Sequence, residues 1–242
     1  MAAAPFRLSP SLSPAVSQAL VTTVQTYVQA EEPHLRTSYI WSLDTAKLQT
    51  HLNFSVRSGS SYDKNLDLKR QLGVEWASNP GNRDKVADYY VRVWGGIKGN
   101  APGKVSSYVA AISKGASLPF DGIASWSKVA TAANPEEAAI FDARVSVSLN
   151  ALQLLAAGPD AAYFPSLPSQ NKVIKAINPL LKVGGQRRGW VSVPKEETYA
   201  AYLNLLSRAA AGMSGALRIA RAEMILFANA EALAAAAHPQ LP

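Results

Sequence analysis

The hydrophobic positions of this chain recur mostly at three- and four-residue steps, the spacing of an α-helix that buries one face. Val16, Leu20, Val24 and Val28 form one such stripe. Alternation of apolar and polar residues, which indicates strands, is scarce, and no repeat or heptad pattern is found. The pattern therefore predicts an all-α fold. It predicts helices over residues 14–30, 37–52, 66–76, 83–94, 105–114, 143–155, 170–183, from 195 to a break at 213–215, and 216–237, besides a short one that contains Lys128.

Composition predicts one helical domain over residues 15–242, after a Pro/Ser-rich arm at 1–14. A chain of 242 residues with 48% hydrophobic and 17% charged residues can bury a sizeable core. The net charge of +7 favours a polyanionic partner such as nucleic acid, although a slightly basic surface is an equal interpretation.

Several kinds of site are excluded or unsupported by composition. Because the chain has no cysteine and its histidines, His34, His51 and His238, lie far apart, we expect no metal site and no cofactor. A Walker loop is missing, so nucleotide hydrolysis is unsupported. No apolar run approaches the roughly eighteen residues of a membrane span. We therefore expect a cytoplasmic protein that does not bind membranes.

The stretch 117–155 places a lysine and a carboxylate close together in sequence. A turn rich in Pro and Gly leads into the short helix with Lys128, Asn134-Pro135 breaks the chain, and Asp142 directly precedes a long apolar helix. Asp142 is therefore predicted to cap that helix, and the helix dipole would keep its carboxylate ionised. Lys128 is predicted near the start of its own helix.

These pieces resemble the helix-hairpin-helix DNA glycosylase superfamily, nearest to its 8-oxoguanine glycosylase-like branch. The hairpin is matched by Leu118-Pro119 with Gly122-Ile123-Ala124. The Lys-Val-Ala element is matched by residues 128–130 and the Val-Asp-x-x-Val element by residues 141–145. The resemblance implies a divergent bacterial member with two helical lobes, roughly 15–104 plus the C-terminal helices and 105–190, and an active cleft between them.

The resemblance implies that Asp142 and Lys128 are the catalytic residues. A carboxylate beside C1′ stabilises the positive charge that develops on deoxyribose when the glycosidic bond breaks. A buried, neutral Lys128 would attack C1′ and add lyase activity through a Schiff base; otherwise water attacks. Arg144 contacts a phosphate or forms a surface ion pair.

A flipped base needs a pocket with aromatic walls. Trp94, Trp126 and Phe227 are the aromatic candidates, although each is also explained as a core residue. Asn100 is the amide of a predicted pocket rim at 94–100, although the stretch is also explained as a glycine helix stop with an interior tryptophan. Glu223 interrupts an apolar helix, where it contacts a base edge or pairs with Arg218 or Arg221.

The DNA backbone has three candidate binding regions. The turn with Gly122 and Ala124 is predicted to point free N–H groups at a phosphate. Lys98 and Arg144 lie near the predicted pocket. The basic loop 184–190, with Arg187 and Arg188, is predicted to hold the backbone or to insert where the base leaves, unless it is simply a solvated loop.

The sequence thus predicts a monomeric DNA glycosylase that acts on double-stranded DNA with a modified base. The substrate is an oxidised purine, for base-excision repair, or a hypermodified base of phage DNA, for antiviral defence. Two other interpretations stay open: a non-catalytic helical DNA-binding module, and a helical interaction protein that binds no nucleic acid.

Overall fold

The computed structural model describes residues 16–158 and 160–242, and there it is mostly helical with very little strand, as predicted. The predicted arm at 1–14 lies outside these residues. The α-helices are α1 (Gln18–Glu31), α2 (Leu35–Ser38), α3 (Thr45–Leu52), α4 (Ser61–Ser78), α5 (Arg83–Asp88), α6 (Lys104–Ser113), α7 (Ile123–Ala133), α8 (Ala143–Ala156), α9 (Lys172–Arg187), α10 (Thr198–Ala209), α11 (Arg218–Ala228) and α12 (Ala230–Ala237). Strand β1 (Ala162–Tyr163) pairs in parallel with β2 (Val191–Ser192).

Helix α8 is central to one group of helices. It is buried on nearly every side, and α1, α9, α11 and α12 pack around it. Its polar side chains are satisfied by backbone groups of other segments: Ser148 Oγ donates to Leu226 O (2.6 Å), and Asn150 exchanges two 2.9 Å hydrogen bonds with the backbone of Phe164. These hydrogen bonds allow a helix with several polar side chains to be buried, because an unpaired buried polar group is costly.

Helix α7 is central to a second group, formed with α4, α5, α6 and the π-helical turn Tyr89–Trp94. Gly73 of α4 lies against the ring of Pro135, where a Cβ atom would come within 2.9 Å. The two groups are joined by the segment between α7 and α8, and α2 contacts both α4 and α11.

Two predicted helices are divided. The prediction of one helix over 37–52 is wrong, because α2 ends at Ser38 and α3 begins only at Thr45. The Asp44 carboxylate caps α3 by accepting a 3.0 Å hydrogen bond from Lys47 N. The predicted 216–237 helix is two helices divided at Asn229. The first of them begins only at Arg218, because Leu217 has a left-handed backbone with a φ of +55°.

Two local predictions are also wrong. Helix α4 begins well before residue 66, because Ser60 and Asp63 form a reciprocal capping box. The predicted loop 184–190 belongs mostly to α9, because Gly184 and Gly185 let Leu241 and Trp190 pack closely against the helix.

No helix among the described residues is both long and apolar enough to cross a membrane.

Candidate active site

A small enclosed space, which we call the inner cavity, brings together residues from three helices. Lys128 of α7, Asp142 at the start of α8 and Glu223 of α11 line it. The rings of Trp41, Trp94 and Phe227 line it as well. Its volume of about 30 Å³ is enough for roughly a water molecule. Lys128 and Asp142, the predicted catalytic pair, therefore face the same space.

Asp142 caps α8, as predicted. Its Oδ1 atom accepts hydrogen bonds from Arg144 N (2.9 Å) and Val145 N (3.1 Å). Both bonds use Oδ1, so the cap leaves Oδ2 available, and the side chain is only partly buried. The carboxylate is thus held in one orientation by two backbone donors at the positive end of a helix.

Lys128 lies in the middle of α7, so its predicted position near a helix start is wrong. The helix begins five residues earlier, directly after Gly122, whose φ is +83°. Lys128 is 4% exposed, and its Nζ donates to Ala124 O (2.7 Å). Burial lowers the pKa of this amine below its ordinary value of 10.5, and the carboxylates of Asp142 and Glu223 oppose the shift only in part. A lysine with a lowered pKa is a better nucleophile near neutral pH.

Gly95 follows the π-helical turn and provides the space that the Lys128 side chain occupies. A Cβ atom at Gly95 would lie 2.7 Å from Lys128 Cε and 2.8 Å from Val91 O. The second contact is with backbone, which cannot move aside cheaply. Gly95, the first glycine after the predicted helix end at 94, thus has a packing role as well.

We expect Gly95→Ala to destabilise the protein by about 1–3 kcal/mol, because the added methyl group overfills this contact. Displacement of Lys128 should also lower its reactivity toward aldehydes. Gly99→Ala is the matched control, since a Cβ there meets nothing within 4 Å. Urea unfolding measures the stability of both variants. Equal stabilities would contradict this packing role.

Glu223 pairs with Lys69 of α4, so the predicted pairing with Arg218 or Arg221 is wrong. The distance from Lys69 Nζ to Glu223 Oε2 is 2.5 Å, and the two residues are 1% and 2% exposed. Burial raises the pKa of Glu223, while Lys69 opposes this shift. Arg221 pairs instead with Glu32 (2.8 Å), and Arg218 donates to Ala211 O.

Sequence reasoning missed Lys69, although a signal was present. Lys69 lies on the same helical stripe as Leu72 and Trp76, which are buried. A lysine on an apolar stripe needs a buried partner, because an isolated buried charge is very costly. The partner itself is 154 residues away in sequence, so only the tertiary structure identifies it.

A larger opening, which we call the outer cleft, adjoins the inner cavity. It has a volume of about 620 Å³ and shares Trp41, Trp94 and Phe227 with the inner cavity. Trp94 and Phe227 were predicted at the site; Trp41 was missed because residues 37–52 were assigned to one helix. The Trp41 ring centroid is 5.5 Å from that of Phe227 and 5.9 Å from that of Trp94.

Two predicted pocket residues lie elsewhere. Trp126 is buried; its Nε1 donates to Pro119 O (2.8 Å), and its ring makes an edge contact with Tyr199. It therefore anchors the turn before α7. Asn100 Nδ2 donates to Ser125 Oγ (3.1 Å). Neither residue lines the inner cavity or the outer cleft.

No protein-family model, curated protein or solved structure matches this chain. No cluster of metal-binding side chains is found within residues 16–158 and 160–242.

The backbone N–H groups at the Gly122 turn are mostly paired within the turn. At the Gly122 turn, the N–H groups of Ile123, Ser125 and Trp126 already donate to the carbonyls of Phe120 and Gly122, so they do not point outward as predicted. The Ala124 N–H has no part in these bonds, and Gly122 itself is exposed.

The basic candidates differ in exposure. Arg144 Nη2 pairs with Glu231 Oε1 (2.8 Å), and its guanidinium covers the ring of Phe227, so it lines the outer cleft. Arg188 donates to Gly184 O and Gln240 O, which ties α9 to the C-terminal residues. Lys98 and Arg187 are exposed, as Arg188 also is.

Proposed function

We propose that this chain is a monomeric DNA glycosylase that removes a modified base from double-stranded DNA in the bacterial cytoplasm without a cofactor. The observation that supports this most is the meeting of Lys128 and Asp142 at one cavity beside an aromatic-lined cleft. In this proposal the two helix groups act as the lobes of a helix-hairpin-helix glycosylase, with the active cleft between them.

Asp142 stabilises the sugar in the transition state. As the glycosidic bond breaks, its electron pair leaves with the base and positive charge develops at C1′. The carboxylate is already oriented by its two backbone hydrogen bonds, so no reorganisation is needed when this charge appears. Oδ2 faces the reacting sugar.

Lys128 supplies the nucleophile. Its neutral amine attacks C1′, a C–N bond forms as the base departs, and the base takes up a proton. Loss of the amine proton and ring opening give a Schiff base, from which β-elimination cleaves the strand. The lowered pKa of Lys128 supports this role, because a protonated amine has no free electron pair.

The base leaves the helix stack and lies against Trp41, Trp94 and Phe227. Flipped bases are commonly held by aromatic and apolar side chains. The exposed side chains of Lys98 and Arg187 are available for phosphate contacts. The modified base is an oxidised purine or a hypermodified base of phage DNA, in repair or antiviral defence respectively.

The proposal is tested by incubating the purified protein with duplexes that contain oxidised purines or phage-type modified bases, and identifying freed base by mass spectrometry. We expect one modified base to be released. Salt-dependent binding without release from any duplex would instead indicate a non-catalytic DNA-binding module. Weak binding that barely changes with salt would indicate an interaction protein that does not use nucleic acid.

A further inference from the structure

The outer cleft is larger than an ordinary base requires. Its volume of about 620 Å³ lies in the range of roughly 300–1,000 Å³ that holds drug-sized ligands, whereas flipped bases occupy snug pockets. An oxidised purine differs from the normal base by little more than one oxygen atom. It would leave most of this cleft filled with water.

The position of the aromatic side chains determines what enters the cleft. Trp41, Trp94 and Phe227 line both the inner cavity and the outer cleft. If the water-sized inner cavity opens toward the outer cleft and C1′ reaches Lys128 and Asp142, the attached base contacts these rings. Any group that the base carries on its far edge then extends into the outer cleft.

The outer cleft also has a polar rim, formed by Asp44, Lys47, Arg144 and Glu231. These residues form two pairs: Asp44 with Lys47 at 3.2 Å and Arg144 with Glu231 at 2.8 Å. The two acidic and two basic side chains give the rim no net charge. A phosphate-bearing group would require an excess of positive charge, whereas a neutral group with many hydroxyls can donate to the carboxylates and accept from the cations.

We propose that the outer cleft binds a base that carries a large, neutral, hydroxyl-rich substituent of the size of a hexose. This rests on the proposed function and names its substrate class. The base lies against the three aromatic rings, and the hydroxyls of its substituent bond to the polar rim. Among the two substrate classes proposed above, the cleft thus favours the hypermodified base.

The test compares duplexes of one sequence that differ in a single base. They contain 5-hydroxymethylcytosine or 5-hydroxymethyluracil, each with and without a hexose on the hydroxymethyl group, or 8-oxoguanine. Base release is measured in single-turnover reactions. We expect release from a hexose-bearing duplex to be at least tenfold faster than from its hexose-free counterpart and from the 8-oxoguanine duplex.

Failure of this inference is distinguishable from failure of the proposed function. Rapid release of 8-oxoguanine, or of a hexose-free base, overturns the inference and supports a glycosylase. No release from the hexose-bearing duplexes overturns the inference. If borohydride also traps no adduct with abasic-site DNA and no other modified base is released, the proposed function fails as well.

A variant that removes one negative charge tests the polar rim directly. Asp44→Asn removes one carboxylate and keeps the α3 cap, because Asn caps helices as well as Asp does. We expect it to slow release of the hexose-bearing base by about tenfold or more, the usual effect of losing a hydrogen bond to a charged group. Asp84→Asn, an exposed position on α5 away from the cleft, should leave the rate within about twofold. Equal rates for the two variants would overturn the role of the rim.

Discussion

Asp142→Asn is expected to lower the single-turnover rate of base release by about a thousandfold. Loss of one preorganised electrostatic group at a reacting centre costs about 10²–10³ in rate, and Asp142 carries a full charge. The fold should be unaffected, because the amide oxygen of Asn can accept the same hydrogen bonds from Arg144 N and Val145 N. The rate is measured on a duplex with the released base identified by mass spectrometry.

The affinity of the variant for the same duplex separates catalysis from binding. We expect the dissociation constant of Asp142→Asn to stay close to that of the unaltered protein, because Asp142 contributes no positive charge toward the backbone. Asp84→Asn serves again as the matched control. Full base release by Asp142→Asn would exclude Asp142 from the chemistry and, with it, the proposed mechanism.

The parts of the site that were predictable are those set by local sequence. An aspartate in front of a long apolar run predicted the cap of α8, and this is confirmed. Two of the three aromatic residues chosen as candidate walls of a base pocket, Trp94 and Phe227, do line the cavity. Such features depend on neighbours within a few residues, and the sequence shows those neighbours directly.

The remaining parts depend on tertiary contacts. Trp41 lies in the segment between α2 and α3. The residues of this segment are compatible with a helix, but the segment is not helical, because Asp44 caps a new helix. Gly184 and Gly185 looked like a loop, yet they are helical because Trp190 and Leu241 pack against them. Single-residue propensities do not include such partners.

The charges around the inner cavity bear on the nucleophile role that we propose for Lys128. Two carboxylates beside one buried lysine would favour its protonated form. Lys69 pairs with Glu223 and so occupies one of the two carboxylates. Lys69 also lowers the pKa of Lys128, in the same direction as burial. In the proposed mechanism, the Lys69–Glu223 pair therefore affects the pKa of Lys128 without contacting substrate.

Lys128→Met is expected to abolish the covalent adduct that borohydride traps with abasic-site DNA. Methionine is unbranched and fills a similar apolar space, so the helix should stay packed. Denaturing gel electrophoresis detects the adduct, and Lys114→Met, at an exposed position, is the matched control. An adduct that persists in Lys128→Met would remove this residue from the nucleophile role and leave water as the attacking group.

The pH dependence gives a second, independent measure of the same residue. Adduct formation should rise with pH as the amine loses its proton and level off below 10.5, because burial lowers the pKa of Lys128. In the unfolded chain the lysine keeps its proton up to about 10.5, so between the two pKa values the unfolded state binds more protons. The free energy of unfolding should therefore rise with pH in that window. Urea unfolding at several pH values should show this rise in the unaltered protein and a smaller one in Lys128→Met; identical profiles would mean that Lys128 has an ordinary pKa.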